Sequence, residues 1–146
     1  MFSKIKDILK RLIETYGTSD PEELCHRMNI VLLDCDLPAV TKGFCFTISQ
    51  GRAIVLNNNL ERKERRACIA HELGHALLHN GVNYMFVRDS TCMITGKYEN
   101  EADVFAAMLM LWGKKLPEDV TTEHIAKKYR LSETAVQKAL KYKISM

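Results

Sequence analysis

Hydrophobic residues recur along the first thirty positions at the spacing of two helices. Between residues 4 and 16 they fall every three or four positions, which predicts a helix with one buried face. Gly17 is expected to end that helix, because glycine readily adopts the left-handed conformation of a helix terminus. A second, shorter helix is predicted to start at Pro21 and to stop near Asn29.

Three β-prone runs follow these helices. Residues 30–33, 43–49 and 52–57 are rich in the apolar and β-branched side chains that are typical of strands. The last two runs are separated only by a turn at residues 49–51, so we expect them to pair as a hairpin.

A long helix is predicted in the middle of the chain. Asn58 and Glu61 have the three-residue spacing of a capping box, which indicates a helix start, and the helix should run to about Asn80. Gly81 is expected to end it. Residues 82–97 show no clear period, and we interpret them as a loop with room for a short strand.

The last third of the chain is predicted to be helical. Residues 99–111 can place an apolar face against a core, and the segment 113–117 should break that helix. Two more helices are predicted near residues 121–129 and 132–143, each with a hydroxyl residue at its start as a cap.

The length and composition are those of one ordinary globular domain. The chain has 146 residues, of which 47% are hydrophobic and 27% charged. Its N-terminus lacks the continuous apolar core of a secretion signal. The apolar stretch 102–112 is too short to span a bilayer. We therefore expect a single cytoplasmic domain over residues 1–146 with no membrane association.

The five cysteines do not form a disulfide framework. Their number is odd and none belongs to a C-x-x-C pair. We interpret them as small buried residues in a reducing compartment.

The net charge of +3 indicates no partner by itself, but its distribution is uneven. From Lys114 to the C-terminus there are eight Lys or Arg against four Asp or Glu. The predicted helical tail, residues 117–146, resembles a helix-turn-helix over residues 123–136, which leaves binding to nucleic acid open. Two helices without a clear third do not complete a DNA-binding unit. Packing against the rest of the domain, or docking a protein, is therefore the favoured interpretation of the tail.

The segment HELGH at residues 71–75 carries the strongest chemical signal. Positions i and i+4 of a helix lie on nearly one face, about 6 Å apart along its axis, so His71 and His75 can face the same ion. Neutral imidazole nitrogens suit Zn²⁺. Glu72 follows the first histidine directly and can reach a water molecule at the ion without binding the ion itself, as a general base requires.

A catalytic zinc site also needs a third protein ligand. His79 lies about 12 Å along the helix axis from His71, too far to share one ion, and we interpret it as a C-terminal residue favoured by the helix dipole. In the next helix, Glu99 could bind the ion while Asp103 accepts the remaining ring N–H of a ligand histidine. The plainer interpretation of Glu99 is an acid at its helix N-terminus. Glu101 points away from Glu99 and Asp103 and is the reserve candidate for the ligand.

The segment HELGHALLH at residues 71–79, followed by ENEADVFAA at residues 99–107, resembles the ImmA/IrrE family of metallopeptidases. The resemblance covers about Gly43 to Leu111 well and is fainter outside. Family members often end the second segment in a Leu-Met-Pro-like sequence, whereas proline is here delayed to Pro117. That departure concerns the following loop and not the metal site.

The resemblance implies an α+β fold with a thermolysin-like (minigluzincin) core, in which a small sheet containing an antiparallel pair packs on two zinc-binding helices. It implies His71, His75 and Glu99 as Zn²⁺ ligands and Glu72 as catalytic base. Related enzymes with a Glu-x-x-Ala-Asp pattern use the first Glu as ligand, which favours Glu99 over Glu101.

The resemblance also implies a biology. Such proteins commonly belong to phages, mobile elements or stress responses, where they cleave a partner repressor of helix-turn-helix type and so derepress genes. Two other functions stay open: a DNA-binding regulator whose zinc is structural or sensory, and a protein that binds its repressor without cutting it. For the peptidase, Tyr84, Arg88 and Tyr98 are the candidate second donors to the oxyanion.

Overall fold

The computed structural model describes residues 2–49, 51–79 and 92–144, and these form six helices and three strands. The helices are α1 (Phe2–Tyr16), α2 (Pro21–Arg27), α3 (Arg62–Leu78), α4 (Cys92–Met110), α5 (Thr122–Tyr129) and α6 (Glu133–Ile144). The strands are β1 (Val31–Cys35), β2 (Gly43–Ile48) and β3 (Gly51–Asn57). The predicted α+β class is therefore confirmed.

The three strands form one mixed sheet in the order β1-β3-β2. Strand β1 runs parallel to β3, with Val31 opposite Ala53, and β2 runs antiparallel to β3, with Gly43 opposite Leu56. The predicted hairpin is thus confirmed, although Gln50 in its turn lies outside the described residues. Because β3 is the central strand, its residues 53–57 are all buried. Helix α3 packs against this strand.

The first two helices begin and end as their sequence predicts. Gly17 follows α1 with a φ of +70°, a conformation that glycine adopts without steric cost. At the start of α2 the Asp20 carboxylate accepts the backbone N–H of Glu23 at 2.9 Å, and Pro21 occupies the first turn.

The predicted capping box before α3 is wrong. The residue at the cap position is Glu61, whose side chain makes no capping hydrogen bond, and the helix starts at Arg62. The residue that organises the turn before α3 is Asn57 and not Asn58. Asn57 accepts the backbone N–H of Asn59 through its side-chain oxygen and donates its amide to the carbonyl groups of the 37–41 loop. The hydrogen bonds of this buried amide fix the direction in which the chain enters α3, a role that a capping side chain would otherwise have.

The predicted loop over residues 82–97 is also wrong in its last part. Helix α4 already begins at Cys92, while residues 82–91 lie outside the described part of the chain, as does Gly81. The low helix propensity of Thr95 and Gly96 suggested a loop, but such residues cost only about 1 kcal/mol or less each, which tertiary contacts override. One consequence is that Glu99 lies inside the helix and not in its first turn.

The two helices of the tail pack against the domain. Thr121 caps α5 by accepting the backbone N–H of His124 at 3.1 Å. Ala135, Val136 and Ala139 of α6 are buried, and α6 contacts α4. At the other end of the chain, the ring of Phe2 in α1 lies 4.7 Å from that of Tyr142 in α6.

The core lies between the sheet and the helices and is centred on α4. Almost every side chain of that helix from Ala102 to Met110 is buried, and Phe105 is fully so. None of the helices in the described segments is long and apolar enough to cross a membrane.

Four cysteines whose side chains are described have free thiols. Burial, followed by nearby carboxylates, raises the pKa of Cys25, Cys45 and Cys68 to about 12. Cys35 is only partly buried.

These pKa values predict slow alkylation of the folded protein. At pH 8 a thiol with a pKa of 12 is ionised to roughly one part in 10⁴, and only the thiolate reacts. We expect iodoacetamide at pH 8 to label Cys35 well before Cys25, Cys45 and Cys68, as measured by mass spectrometry of peptides. Unfolding in urea should abolish the difference. Equal labelling of all four cysteines in the folded protein would contradict the packing.

Candidate metal centre

Helix α3 presents two histidine rings to one point. The Nε2 atoms of His71 and His75 lie 3.2 Å apart, and the rings meet edge to face with 4.8 Å between their centroids. The His75 side chain is 1% exposed, whereas that of His71 is 18% exposed. The pair therefore lies at the boundary between the core and a surface cleft, with His75 on the inner side.

Helix α4 brings Glu99 to the same point. Its Oε1 atom lies 3.1 Å from Nε2 of His75 and 3.4 Å from Nε2 of His71. Since α4 begins at Cys92, stabilisation of a helix N-terminus does not account for this position of Glu99. The three atoms form a nearly equilateral triangle.

This triangle has the size of one face of a tetrahedral zinc site. Ligand atoms at about 2.0–2.1 Å from Zn²⁺ stand roughly 3.3 to 3.4 Å from one another. Two imidazole nitrogens and one carboxylate oxygen are also a donor set of catalytic zinc sites, which leave a fourth position open. The residues present therefore fit a zinc ion by both geometry and chemistry.

Asp103 holds the ring of His71. Its Oδ1 atom lies 2.8 Å from Nδ1 of His71. Because a carboxylate only accepts hydrogen bonds, His71 donates its Nδ1–H and directs Nε2 towards His75 and Glu99. Carboxylates commonly fix metal-binding histidines in this way.

The carboxylates around the two histidines stabilise positive charge at the site. Burial disfavours the imidazolium of His71, but hydrogen bonds to Asp103 and Glu99 outweigh it and raise the pKa of His71 to about 10. Burial also acts to raise the pKa of Glu99, yet its hydrogen bonds to His71 and His75 lower that pKa to about 2. The pKa of His75 is lowered, mainly by burial.

Glu72 lies beside the triangle. It is 3% exposed, and one of its oxygens is within 4.8 Å of a ring nitrogen of both His71 and His75. Distance alone would allow Glu72 to act as a third donor, but Glu99 also lies within hydrogen-bonding distance of both Nε2 atoms. Glu72 also raises the pKa of the Cys45 thiol, after burial, by its charge and by a hydrogen bond.

His79 and Glu101 are brought together beyond the triangle. His79 is the C-cap residue that follows α3, so it lies at the C-terminal end of this helix as its sequence position predicted. Its Nδ1 atom lies 2.9 Å from Nδ1 of His75, and its Nε2 atom lies 2.9 Å from Oε2 of Glu101. This contact between His79 and Glu101 was not predicted from the sequence. Its signal was the continuation of the 71–75 stripe to position 79.

A cavity of about 470 Å³ opens in front of the site. Its walls come from α3 and α4, from the segment 40–43 that leads into β2, and from the turn between α5 and α6. Arg130, Leu131 and Ser132 of that turn were not singled out from the sequence as site residues. Their role could not be predicted, because only the packing of α6 on α4 brings the turn to the cleft.

The candidates for a second oxyanion donor are only partly described. Tyr84 and Arg88 lie outside the described residues. The Tyr98 ring packs against His79, with 4.2 Å between centroids and 40° between the ring planes.

The close approach of α3 and α4 depends on Gly74. A β-carbon at this position would lie 3.1 Å from two atoms of Phe105, which is fully buried and has little room to move. Gly74 is one residue before His75, so the contact lies at the level of the site and sets the distance across which Glu99 reaches both histidines.

Comparison with known proteins identifies the class. The model of the IrrE N-terminal-like domain, Peptidase_M78, matches residues 25–141. The chain therefore belongs to the ImmA/IrrE family of metallopeptidases, as its resemblance predicted.

Two individual relatives support the match. Metallopeptidase ImmA of Bacillus subtilis strain 168 is 31% identical over 115 residues, which cover 78% of this chain and 67% of that protein. A protein of Bacillus phage phi105, described as uncharacterized immunity region protein 2, is 36% identical over 135 residues, which cover 92% of this chain and 82% of that protein.

The Gly74 contact predicts a specific stability defect. We expect Gly74→Val to lower the free energy of unfolding by about 1–3 kcal/mol, because the added atoms overlap with Phe105. Adding Phe105→Leu should recover part of that loss, with a coupling energy of about 0.5–3 kcal/mol in a double-mutant cycle measured by urea denaturation.

Gly96→Ala is the matched control. Gly96 is also helical, but no atom of the described residues lies within 4 Å of the position its β-carbon would take. This substitution should stabilise the protein by up to about 1 kcal/mol. Additive effects of Gly74→Val and Phe105→Leu would contradict the close contact.

Proposed function

We propose that this protein is a zinc-dependent endopeptidase that cleaves a helix-turn-helix repressor in the cytoplasm and so derepresses genes of a phage, mobile element or stress response. The observation that carries the proposal is the triangle of His71 Nε2, His75 Nε2 and Glu99 Oε1, with the Glu72 carboxylate beside it. A thermolysin-like core is part of the same proposal.

In this proposal His71, His75 and Glu99 hold the zinc ion, and Asp103 orients His71. When bound, zinc lowers the pKa of water towards 7 and stabilises negative charge on a carbonyl oxygen. The sides of the triangle, 3.1–3.4 Å, suit these three ligands, while Glu101 is engaged with His79.

Glu72 acts as the general base. It takes a proton from the water that attacks the scissile carbonyl and delivers that proton to the leaving amine. Its burial supports this role, because a carboxylate shielded from solvent stays directed at the reacting atoms and not at bulk water.

The cavity and the relatives support a protein substrate. The cavity is open to solvent and is bounded by the segment 40–43 on one side and by the turn 130–132 on the other. The phage relative is described as an immunity region protein and the bacterial relative as a metallopeptidase. A peptidase that cleaves a phage repressor is consistent with both descriptions.

Binding of DNA by the tail is the weaker alternative. Helix α6 buries Ala135, Val136 and Ala139 and contacts α4, so this part of the tail is committed to the domain. Its first turn carries Glu133, an acid that opposes contact with phosphate.

Glu72→Gln is expected to keep zinc but to abolish cleavage, because the amide can neither take nor deliver the proton. The purified variant and the wild-type protein should be incubated with the repressor encoded beside this gene, and the products measured by gel electrophoresis and mass spectrometry. Glu14→Gln, at an exposed position of α1 outside the cavity, is the matched control and should cleave normally.

The outcomes separate the three functions. Cleavage by the wild type that a chelator abolishes supports the peptidase. Binding of the repressor without cleavage would favour the non-cleaving protein, and a salt-dependent gel shift with DNA would favour the regulator. Wild-type cleavage rates in Glu72→Gln would refute the assigned base.

Glu99→Ala is expected to weaken zinc binding by more than about 100-fold, since it removes a ligand. Glu101→Ala should cost no more than the roughly 10–100-fold that is typical of residues contacting a ligand without binding the metal. Elemental analysis and competition with a chromophoric chelator measure both variants. Equal losses would reject Glu99 as the third ligand.

A further inference from the structure

We infer that His79 and Glu101 are positioning residues that hold His75 in the tautomer required for metal binding. This inference rests on the proposed function for the role of His75 as a ligand. It adds a hydrogen-bonded chain, His75–His79–Glu101, on the side of His75 that faces away from the triangle.

The chain is short, continuous and shielded from water. His75 Nδ1 lies 2.9 Å from His79 Nδ1, and His79 Nε2 lies 2.9 Å from Glu101 Oε2. The side chains of His75, His79 and Glu101 are 1%, 3% and 17% exposed. Polar groups buried to this degree must satisfy one another, because solvent cannot do so.

The direction of each hydrogen bond follows from the two ends of the chain. The Glu101 carboxylate can only accept, so His79 donates its Nε2–H. When His75 binds the ion through Nε2, its ring proton lies on Nδ1, so His75 donates that proton and Nδ1 of His79 accepts it. Nε2 of His75 is the atom that faces Glu99 and His71.

Each histidine of the triangle is therefore oriented by a carboxylate of α4, directly in one case and through a third side chain in the other. Asp103 contacts His71 directly, whereas Glu101 acts on His75 through His79. The inserted imidazole bridges the distance between the buried His75 and the carboxylate.

Tyr98 closes the chain on one side. Its ring lies 4.2 Å from that of His79, and the His75 and His79 rings are 5.0 Å apart at 46°. Tyr98 and Glu101 lie nearly one turn apart on α4, so the same helix supplies both the packing surface and the hydrogen-bond acceptor for His79.

The hydrogen bond of His75 can be measured in the zinc-loaded protein without an activity assay. Long-range ¹H–¹⁵N correlation spectra identify the ring nitrogen that carries the proton, and the shift and exchange rate of that proton report its hydrogen bond. We expect wild-type His75 to carry its proton on Nδ1 and to exchange it slowly with water. In His79→Phe, which fills the space but offers no acceptor, that proton should lose its hydrogen bond and exchange faster, and zinc affinity should fall by about 10–100-fold.

His79→Gln is the conservative rescue. Its amide oxygen can accept from His75 while its amide nitrogen donates to Glu101, so both the hydrogen bond of His75 Nδ1–H and most of the zinc affinity should return. Glu101→Leu provides a second disruption, independent of His79, should His79→Phe fail to fold. His124→Phe, at an exposed histidine in α5, is the control and should change neither readout.

An unchanged His75 Nδ1–H signal and an unchanged zinc affinity in the folded His79→Phe or Glu101→Leu variant would overturn the inference. So would a zinc-loaded wild type in which that proton exchanges as fast as in a free imidazole. These results are distinguishable from failure of the proposed function. If no repressor is cleaved but His79→Phe changes the His75 signal and loses zinc affinity, the peptidase assignment fails and the positioning role stands.

Discussion

The site depends on the close crossing of two helices. Where α3 passes α4, Gly74 has no side chain and Phe105 fills the space directly against the helix backbone. This contact fixes both the separation and the register of the two helices. Glu99 and Asp103 then reach His71 from one face of α4, and Glu101 reaches His79 from another. A polar network of this density is stable in a core only when each member finds its partner, so the apolar crossing and the polar network must form together.

What the sequence predicted, and what it did not, follows from the range of each interaction. The i, i+4 spacing of His71 and His75 is a property of one helix, and the structure shows their nitrogens converging as that geometry requires. The hairpin, the start of α2 at Pro21 and the cap at Thr121 are equally local. Contacts between helices were less accessible. That Glu101 meets His79 depends on the register of α3 against α4, which no single-helix periodicity contains.

The local errors have a related cause. A capping box at Asn58 and a loop up to residue 97 were both reasonable from short-range preferences worth about 1 kcal/mol. In the folded chain, the buried amide of Asn57 determines how the turn enters α3. Helix α4, whose Tyr98, Glu99 and Glu101 contact the histidines of α3 and its cap, begins already at Cys92. In both places tertiary structure decides between local alternatives of similar free energy. Tertiary contacts also decide the role of the tail, because the turn of its helix-turn-helix pattern, residues 130–132, lines the cleft.

Cys68 has a consequence for the choice of metal. This cysteine lines the cavity near His71, but its sulfur packs against the backbone at Gly43, where a β-carbon would lie only 2.9 Å from it. Burial and the negative charge of Glu72 keep it protonated at neutral pH. The cleft therefore presents nitrogen and oxygen donors and withholds the soft thiolate that cuprous ions prefer. A glycine and a protonated thiol, neither of which is a proposed ligand, thus leave this centre with nitrogen and oxygen donors.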